Sequence, residues 1–297
     1  MEKFSAWRDR ATGISPFMPQ KVPNKQTSFN KYLFSLVRVP IFILKLPFFA
    51  ICGLLYSITG FNFLLNFIFT FLLAFNPIEY SVDGVKKSQT FQLQQYKPQK
   101  SDLIIANYIS PLDGYIMALL CHSNSNMVIV APDKQGKLYK YNPWTLMKFC
   151  FSKQAHGDGV PVDDLCKYHD KIVFLLLEGT TSNNTALLPF IKLDSKYQID
   201  QFEIKALVMK LYPQFFTLPI ANYTPLYYLF QLLTDFGKKN VKCKIYKFDG
   251  KQTDEKLNLN QVRKAFELNS LNSVHGDLSI EAKQKFITYY TNYEVKK

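Results

Sequence analysis

Asn107-Tyr108-Ile109-Ser110-Pro111-Leu112-Asp113 follows the apolar run Leu103-Ile104-Ile105-Ala106 and leads into Gly114-Tyr115-Ile116-Met117-Ala118-Leu119-Leu120. A short apolar run, a polar turn with Ser before Pro, and a renewed apolar segment read as a strand, a tight turn and a helix start. A second polar turn, Glu178-Gly179-Thr180, ends another apolar run, Ile172-Val173-Phe174-Leu175-Leu176-Leu177. Ligands of open α/β sheets bind outside the carboxyl ends of the strands. Two polar turns at two such ends are therefore candidates to converge on one site.

Outward from these turns the chain keeps alternating between short apolar runs and longer periodic segments. Strands are expected at 102–106, 127–131, 171–177, 215–221 and 241–247, and helices near 112–121, 142–151, 200–211, 225–235, 259–269 and 279–292. This alternation predicts an α/β domain over 79–297 with a largely parallel sheet flanked by helices. Ser182-Asn183-Asn184-Thr185 reads as a loop within it, and no internal repeat is evident.

Ahead of that domain lies a different composition. No residue between Lys45 and Glu79 is charged. One continuous helix over that run would be about 50 Å long, against about 30 Å for a bilayer core. Gly60 and Asn62 interrupt the run near its middle. Two helices of about 15 residues would each cover only about 22 Å. A membrane-embedded helical hairpin over 32–78, dipping into one leaflet, fits these lengths. Arg38 and Lys45 before the run, and Lys86 and Lys87 after it, put both flanks on the cytosolic side. A single tilted crossing helix and a pair of buried core helices are the alternatives. Residues 1–31 read as a basic, irregular arm without a signal peptide.

Net charge over the 297 residues is +13, which favours an anionic partner, nucleic acid or membrane. No RNP pattern, zinc-finger spacing or Arg-rich arm accompanies the charge. With 47% hydrophobic and 15% aromatic residues, unevenly distributed, membrane lipids are the expected partner and nucleic acid is not. Five cysteines at wide spacings, with no CxxC pair, read as reduced thiols and argue against a structural zinc.

Asn107, Ser110 and Asp113 match the first motif of the glycerolipid acyltransferases, N-H-x-S-x-x-D, with Tyr108 where the family has His. Leu176-Leu177-Glu178-Gly179-Thr180-Thr181-Ser182, then Leu187-Leu188-Pro189-Phe190-Ile191-Lys192, resemble its third motif, F-P-E-G-T-R-S, and the L-L-P-F-K-like stretch behind it. Thr181 stands at the family's Arg. Phe216-Thr217-Leu218-Pro219-Ile220 is similar to its fourth motif, a strand reading V-x-P-V. Gly157-Asp158-Gly159-Val160-Pro161-Val162-Asp163 lies where the second belongs, without the usual Arg. The segments Met1–Phe4, Trp7–Asp9, Thr12–Ile14, Pro16–Pro19 and Val241–Ile245 narrow the resemblance to fungal members. It implies a lysophosphatidate acyltransferase that moves a fatty acyl group from acyl-CoA to lysophosphatidate. Acyl-CoA is then a substrate, and no cofactor or metal is implied. The expected location is the endoplasmic reticulum membrane and lipid droplets, with the catalytic domain facing the cytosol.

Such a reaction needs a route for the acceptor's proton, donors for the oxyanion and partners for the phosphate. The resemblance assigns Asp113 an orienting role and makes Tyr108 the second catalytic candidate. A carboxylate early in a helix is also favoured by the macrodipole alone. A phenol, with a pKa near 10, is a poor base at neutral pH. None of His122, His156, His169 and His275 is followed by Asp at the family spacing; His156 lies in the second-motif region. Three readings stay open: a histidine entering from another loop, catalysis by positioning without a side-chain base, or a silent protein that keeps the fold. Ser110 before Pro111 reads mostly as a helix cap. Glu178, Gly179, Thr180 and Thr181 resemble the acceptor-binding loop, Gly179 allowing close backbone approach. Lys192 is the candidate replacement for the lost Arg, a point charge instead of a bidentate clamp. The altered third motif also leaves room for another lysolipid headgroup.

Overall fold

The computed structural model describes residues 2–20, 28–121, 127–152, 156–218, 224–248 and 259–294. A 3-10 turn, Glu2–Trp7, precedes the long helix α1 (Ser28–Thr59). Next comes α2 (Asn62–Phe67), which runs on into a π turn over Ile68–Leu72. The first half of the body contains β1 (Glu79–Val82), α3 (Thr90–Gln95), β2 (Asp102–Ala106), α4 (Asp113–Leu120), β3 (Met127–Pro132), β4 (Leu138–Tyr141) and α5 (Pro143–Phe151). The second half contains β5 (Val160–Pro161), β6 (Ile172–Leu175), β7 (Ala186–Leu187), β8 (Glu203–Tyr212), α6 (Pro225–Thr234), β9 (Asn240–Lys247), α7 (Leu259–Glu267), β10 (Asn272–Ser273) and α8 (Ile280–Glu294).

Eight strands form one sheet in the order β1-β9-β8-β2-β6-β3-β4-β5. Its centre, β8, β2, β6 and β3, is parallel, while β9 and β4 run antiparallel to β8 and β3. The continuous apolar runs follow from burial on both faces. Ile104 and Phe174 point into the core under α4; Leu103, Ile105, Val173 and Leu175 point into the core on the other face. Because β2 and β6 are neighbours in parallel register, with Ile105 beside Leu175, the two polar turns leave the sheet side by side.

One long strand differs from the sequence reading. Residues 200–211, read as a helix, are largely β8. Its Ala, Leu, Met and Lys are good helix formers, but helix propensity yields to packing. Ile204, Ala206 and Val208 fill one core while Leu207, Met209 and Leu211 fill the other. Lys205 is tolerated inside because its Nζ lies 2.7 Å from Asp102 Oδ1. The strand read at 215–221 is also absent as such: Gln214–Phe216 is a 3-10 turn, and Pro219 and Ile220 lie outside the described residues.

The apolar N-terminal region breaks at Gly60, which takes φ +66°. Its two arms are unequal, where equal arms of about 15 residues were expected from Gly60 lying near the middle. The apolar stretch of α1 is 24 residues, Leu36–Thr59, about 36 Å and enough to cross a bilayer. The second arm is short and packs Leu65, Ile68, Phe69 and Leu72 into the body. A stripe of α1 docks there too: Phe42, Phe49, Cys52 and Tyr56 meet the core, and Lys45 Nζ donates to Leu72 O (2.8 Å) and Leu233 O (3.2 Å). The opposite stripe, including Ile43, Leu44, Phe48, Ile51, Leu54 and Ile58, is exposed. An exposed apolar face of this size is the kind that meets a membrane or another protein, and α1 is long and apolar enough for the former. Lysines at Phe48, Ile51 and Leu55 together are expected to release the protein from vesicles in a flotation assay. Undiminished flotation would show that this face does not lie in lipid.

Residues 2–20, read as an irregular arm, dock on α8. Phe4 and Trp7 pack against Phe286 and Tyr289, and Phe17 is buried. Asn183 Nδ2 donates to Ser15 O and Met18 O, each at 2.9 Å, so the arm is fastened to the loop that follows β6.

Candidate active site

The turn after β2 is built around Asp113. Its Oδ2 accepts from Ile109 N (2.6 Å) and Ser110 N (3.0 Å), and its Oδ1 accepts from Ser110 Oγ (2.5 Å). Ser110 Oγ in turn accepts from Leu112 N (3.2 Å). Leu112, not Ser110, occupies the N-cap position of α4, so the serine braces the turn two residues earlier. The Asn107 amide exchanges two hydrogen bonds with the Met209 backbone, fixing the end of β2 to β8. Burial pushes the Asp113 carboxyl up to about 7, against the three hydrogen bonds that favour the carboxylate.

Glu178 joins the two turns. Its Oε1 accepts from Tyr108 N (2.9 Å), and its Oε2 accepts from Leu188 N (2.8 Å) in the L-L-P-F stretch. Burial raises this carboxyl to about 8, while the two N–H groups hold it down. Gly179 follows at φ +62°, where a Cβ would sit 2.7 Å from Pro132 O. A neutral or charged Glu178 thus serves the protein's own backbone and does not point at an acceptor.

Tyr108 lies side-on to these groups. Its ring stacks near Phe149, and its hydroxyl donates to Leu146 O (3.2 Å) and lies 2.9 Å from Cys150 Sγ. Burial pushes the phenol well above its ordinary range and the Cys150 thiol up to about 12. Asp113 and the Tyr108 hydroxyl make no hydrogen bond to each other; each is committed to different atoms.

Between these turns, the end of α5 and the length of α8 lies a cavity of about 320 Å³. Tyr108, Gly179, Thr180 and Thr181 line it from the two motifs, facing Lys283 and Gln284 of α8. Asp113, Ser110 and Glu178 stand behind the wall, and Lys192 is exposed and outside the lining. Among the described residues no histidine lines the cavity. His156 stacks on Tyr139 at 4.3 Å between ring centres, and His122 lies outside the described residues. Lys283 escaped the sequence reading. Its Nζ donates to Thr181 O (2.9 Å) and also to Thr181 Oγ1 across 102 positions of chain. The signal available in sequence was a lysine in the same helical stripe as Ile280 and Ile287.

Two fungal proteins resemble the chain over most of their length. Lysophosphatidic acid:oleoyl-CoA acyltransferase 1 of Saccharomyces cerevisiae is 29% identical, covering 100% of this chain and 99% of that protein. A putative lysophosphatidic acid:oleoyl-CoA acyltransferase of Schizosaccharomyces pombe is 28% identical over 75% of this chain and 77% of its own. The chain is related to these fungal acyltransferases. No family model and no solved structure matches it.

For a relative of acyltransferases, the hydroxyl of Tyr108 is the residue whose role needs separating from packing. Its hydrogen bonds hold α5 to the first turn. Tyr108→Phe is therefore expected to cost about 1 kcal/mol of stability and to leave the acyl-transfer rate within a few-fold. A loss of roughly 10²-fold with an unchanged melting curve would instead assign the hydroxyl to oxyanion stabilisation.

Proposed function

We propose that the protein transfers a fatty acyl group from acyl-CoA to lysophosphatidate at a membrane surface. The observation that carries this reading is the Glu178 bridge, which brings the first- and third-motif turns into one cavity wall. The full-length similarity to one protein named for this reaction supports the choice of substrates. In the reaction, the acceptor hydroxyl oxygen bonds the thioester carbonyl carbon and the C–S bond breaks. The alcohol's proton ends on the departing CoA thiol. The chain's contribution is to hold the two reactants together, an effect that can supply several kcal/mol of the barrier. The exposed apolar face of α1 would hold the protein at the membrane from which a lysolipid acceptor is drawn. The endoplasmic reticulum and lipid droplets, on their cytosolic side, are the membranes we assign.

A second reading has its own support. The Tyr108 hydroxyl is buried and occupied, and no described histidine reaches the cavity. Those facts suit a catalytically silent protein that binds lysolipid or a partner on a droplet. The full chain in mixed micelles, given oleoyl-CoA and a panel of lysolipids, decides between them by CoA release. Turnover with lysophosphatidate is expected. Turnover only with another headgroup would correct the acceptor, and saturable lysolipid binding with no acyl product would establish the silent reading.

A further inference from the structure

Lys283 is a buried ammonium with no counter-ion among the described residues. Its residue is 7% exposed, and among the described residues no carboxylate lies within 4.0 Å of its Nζ. Burying an unpaired charge is costly, and proteins normally pair such a group. Two of its three donors go to Thr181, a carbonyl and a hydroxyl. The lysine lies in the cavity wall, and the stripe of α8 beyond it is largely polar: Gln284, Thr288, Thr291 and Asn292. From Ile280 to Asn292 this stripe runs about 18 Å at 1.5 Å per residue. The groove is mixed, with Phe149, Ile280 and Ile287 beside these polar groups, so an anion is drawn to its lysine while an apolar portion of the same ligand meets the aromatic and isoleucine side chains. Its fixed cation sits at the end nearest the two motif turns.

We propose that Lys283, held by Thr181, is the anion anchor of the cavity and binds a phosphate monoester, with the Thr180 hydroxyl and Gln284 amide beside it. The identity of the ligand rests on the proposed acyl transfer; the existence of the site does not. Two reactants carry a phosphate monoester, lysophosphatidate and the ribose of CoA. The first fits better, because the cavity opens between the acceptor-like turn and α8. The groups facing Lys283 are Cys150 of α5 and Glu178 behind the third-motif turn, with Tyr108 lining the cavity nearby. Burial lowers the ammonium to about 8, against the pull of Cys150 and Glu178. The charge is therefore present below about pH 8 and lost above it, whereas a phosphate monoester is already a dianion there.

Binding, measured without turnover, tests the proposal. Isothermal titration of the full chain in micelles would use 1-oleoyl-lysophosphatidate, free CoA and monooleoylglycerol as probes. Lys283→Met is expected to weaken lysophosphatidate roughly 10- to 100-fold, the range for one charge-assisted hydrogen bond, and to leave monooleoylglycerol unchanged. Wild-type affinity should fall as pH rises from 7 to 9.5. Lys283→Arg keeps its charge throughout and should bind independently of pH over that range. That arm excludes Glu178 as the titrating group and does not depend on the Met variant folding. If only CoA binding weakens in Lys283→Met, the anchored monoester is the one on CoA. Unchanged binding of both anions, or a pH dependence that persists in Lys283→Arg, overturns the proposal. Absent acyl transfer with these binding shifts intact would remove the enzyme reading and keep the site.

Discussion

Gly179→Val is expected to abolish acyl transfer and to lower the melting temperature by several degrees. Gly179 holds φ +62°, a conformation that costs a β-branched residue about 1–3 kcal/mol. The added Cβ would stand 2.7 Å from Pro132 O, which is backbone at the end of β3 and cannot move aside without moving the strand. Ile191 Cδ1 at 2.7 Å and Ile280 Cδ1 at 2.8 Å are side-chain tips and can give way, but Ile280 belongs to α8. Relief of the clash with Pro132 O therefore moves the third-motif turn itself, and with it Thr180 and Thr181 in the cavity wall. From sequence alone the turn lies at a strand end, and a bulkier residue there would fill space and spare the fold. The packing of Pro132 against it removes that expectation. Thermal melting and CoA release on the same sample check both effects. A Val variant that melts like wild type and turns over normally would show that neither the strain nor the contact with β3 matters.

Legibility of this fold followed burial. β2, β3 and β6 stood out because both their faces are covered, so each reads as an unbroken apolar run. The two motif turns were visible because polar residues interrupt such runs at their carboxyl ends. β8 was not, since Lys205 looks like a solvent-facing helical residue until Asp102, 103 positions away, neutralises it. The same limit hid the cavity's cation. Lys283 acquires its meaning from Thr181 and from burial in the cavity wall opposite α5, and no local pattern encodes those contacts. The docking of residues 2–20 was equally illegible, because Phe4 and Trp7 find their aromatic partners at the other end of the chain. Motif spacing brought Tyr108 and Asp113 forward together. The structure instead gives Asp113 to its own turn and Tyr108 to α5, because a phenol is longer than an imidazole and reaches past the turn to Leu146 and Cys150.

Asp113 is therefore expected to act through the shape of the turn, and two substitutions separate shape from charge. Asp113→Ala orphans two buried N–H groups, on Ile109 and Ser110, together with the Ser110 hydroxyl. Each unsatisfied buried group costs about 1–3 kcal/mol, so a loss of roughly 3–5 kcal/mol and of all activity is expected. Asp113→Asn can present its amide oxygen to both N–H groups, but its NH₂ cannot accept from the Ser110 hydroxyl, which now donates to Asp113 Oδ1 and would lose that acceptor. The charge assistance and one hydroxyl acceptor are lost, about 1–3 kcal/mol and less than in the Ala variant, and because Asp113 does not line the cavity the rate should stay within about tenfold. The pH behaviour separates the same two roles. A carboxyl raised to about 7 exchanges its proton near neutrality. In the folded state it binds that proton more tightly than in the unfolded chain, so its contribution favours the fold at low pH and fades as pH rises towards 7. The Asn variant, which does not titrate, should lack this part of the stability profile while keeping the rate. If Asp113→Asn melts above the Ala variant yet transfers acyl groups roughly 10²-fold more slowly than wild type, the carboxylate's charge belongs to the chemistry. The turn-bracing account of Asp113 would then be wrong.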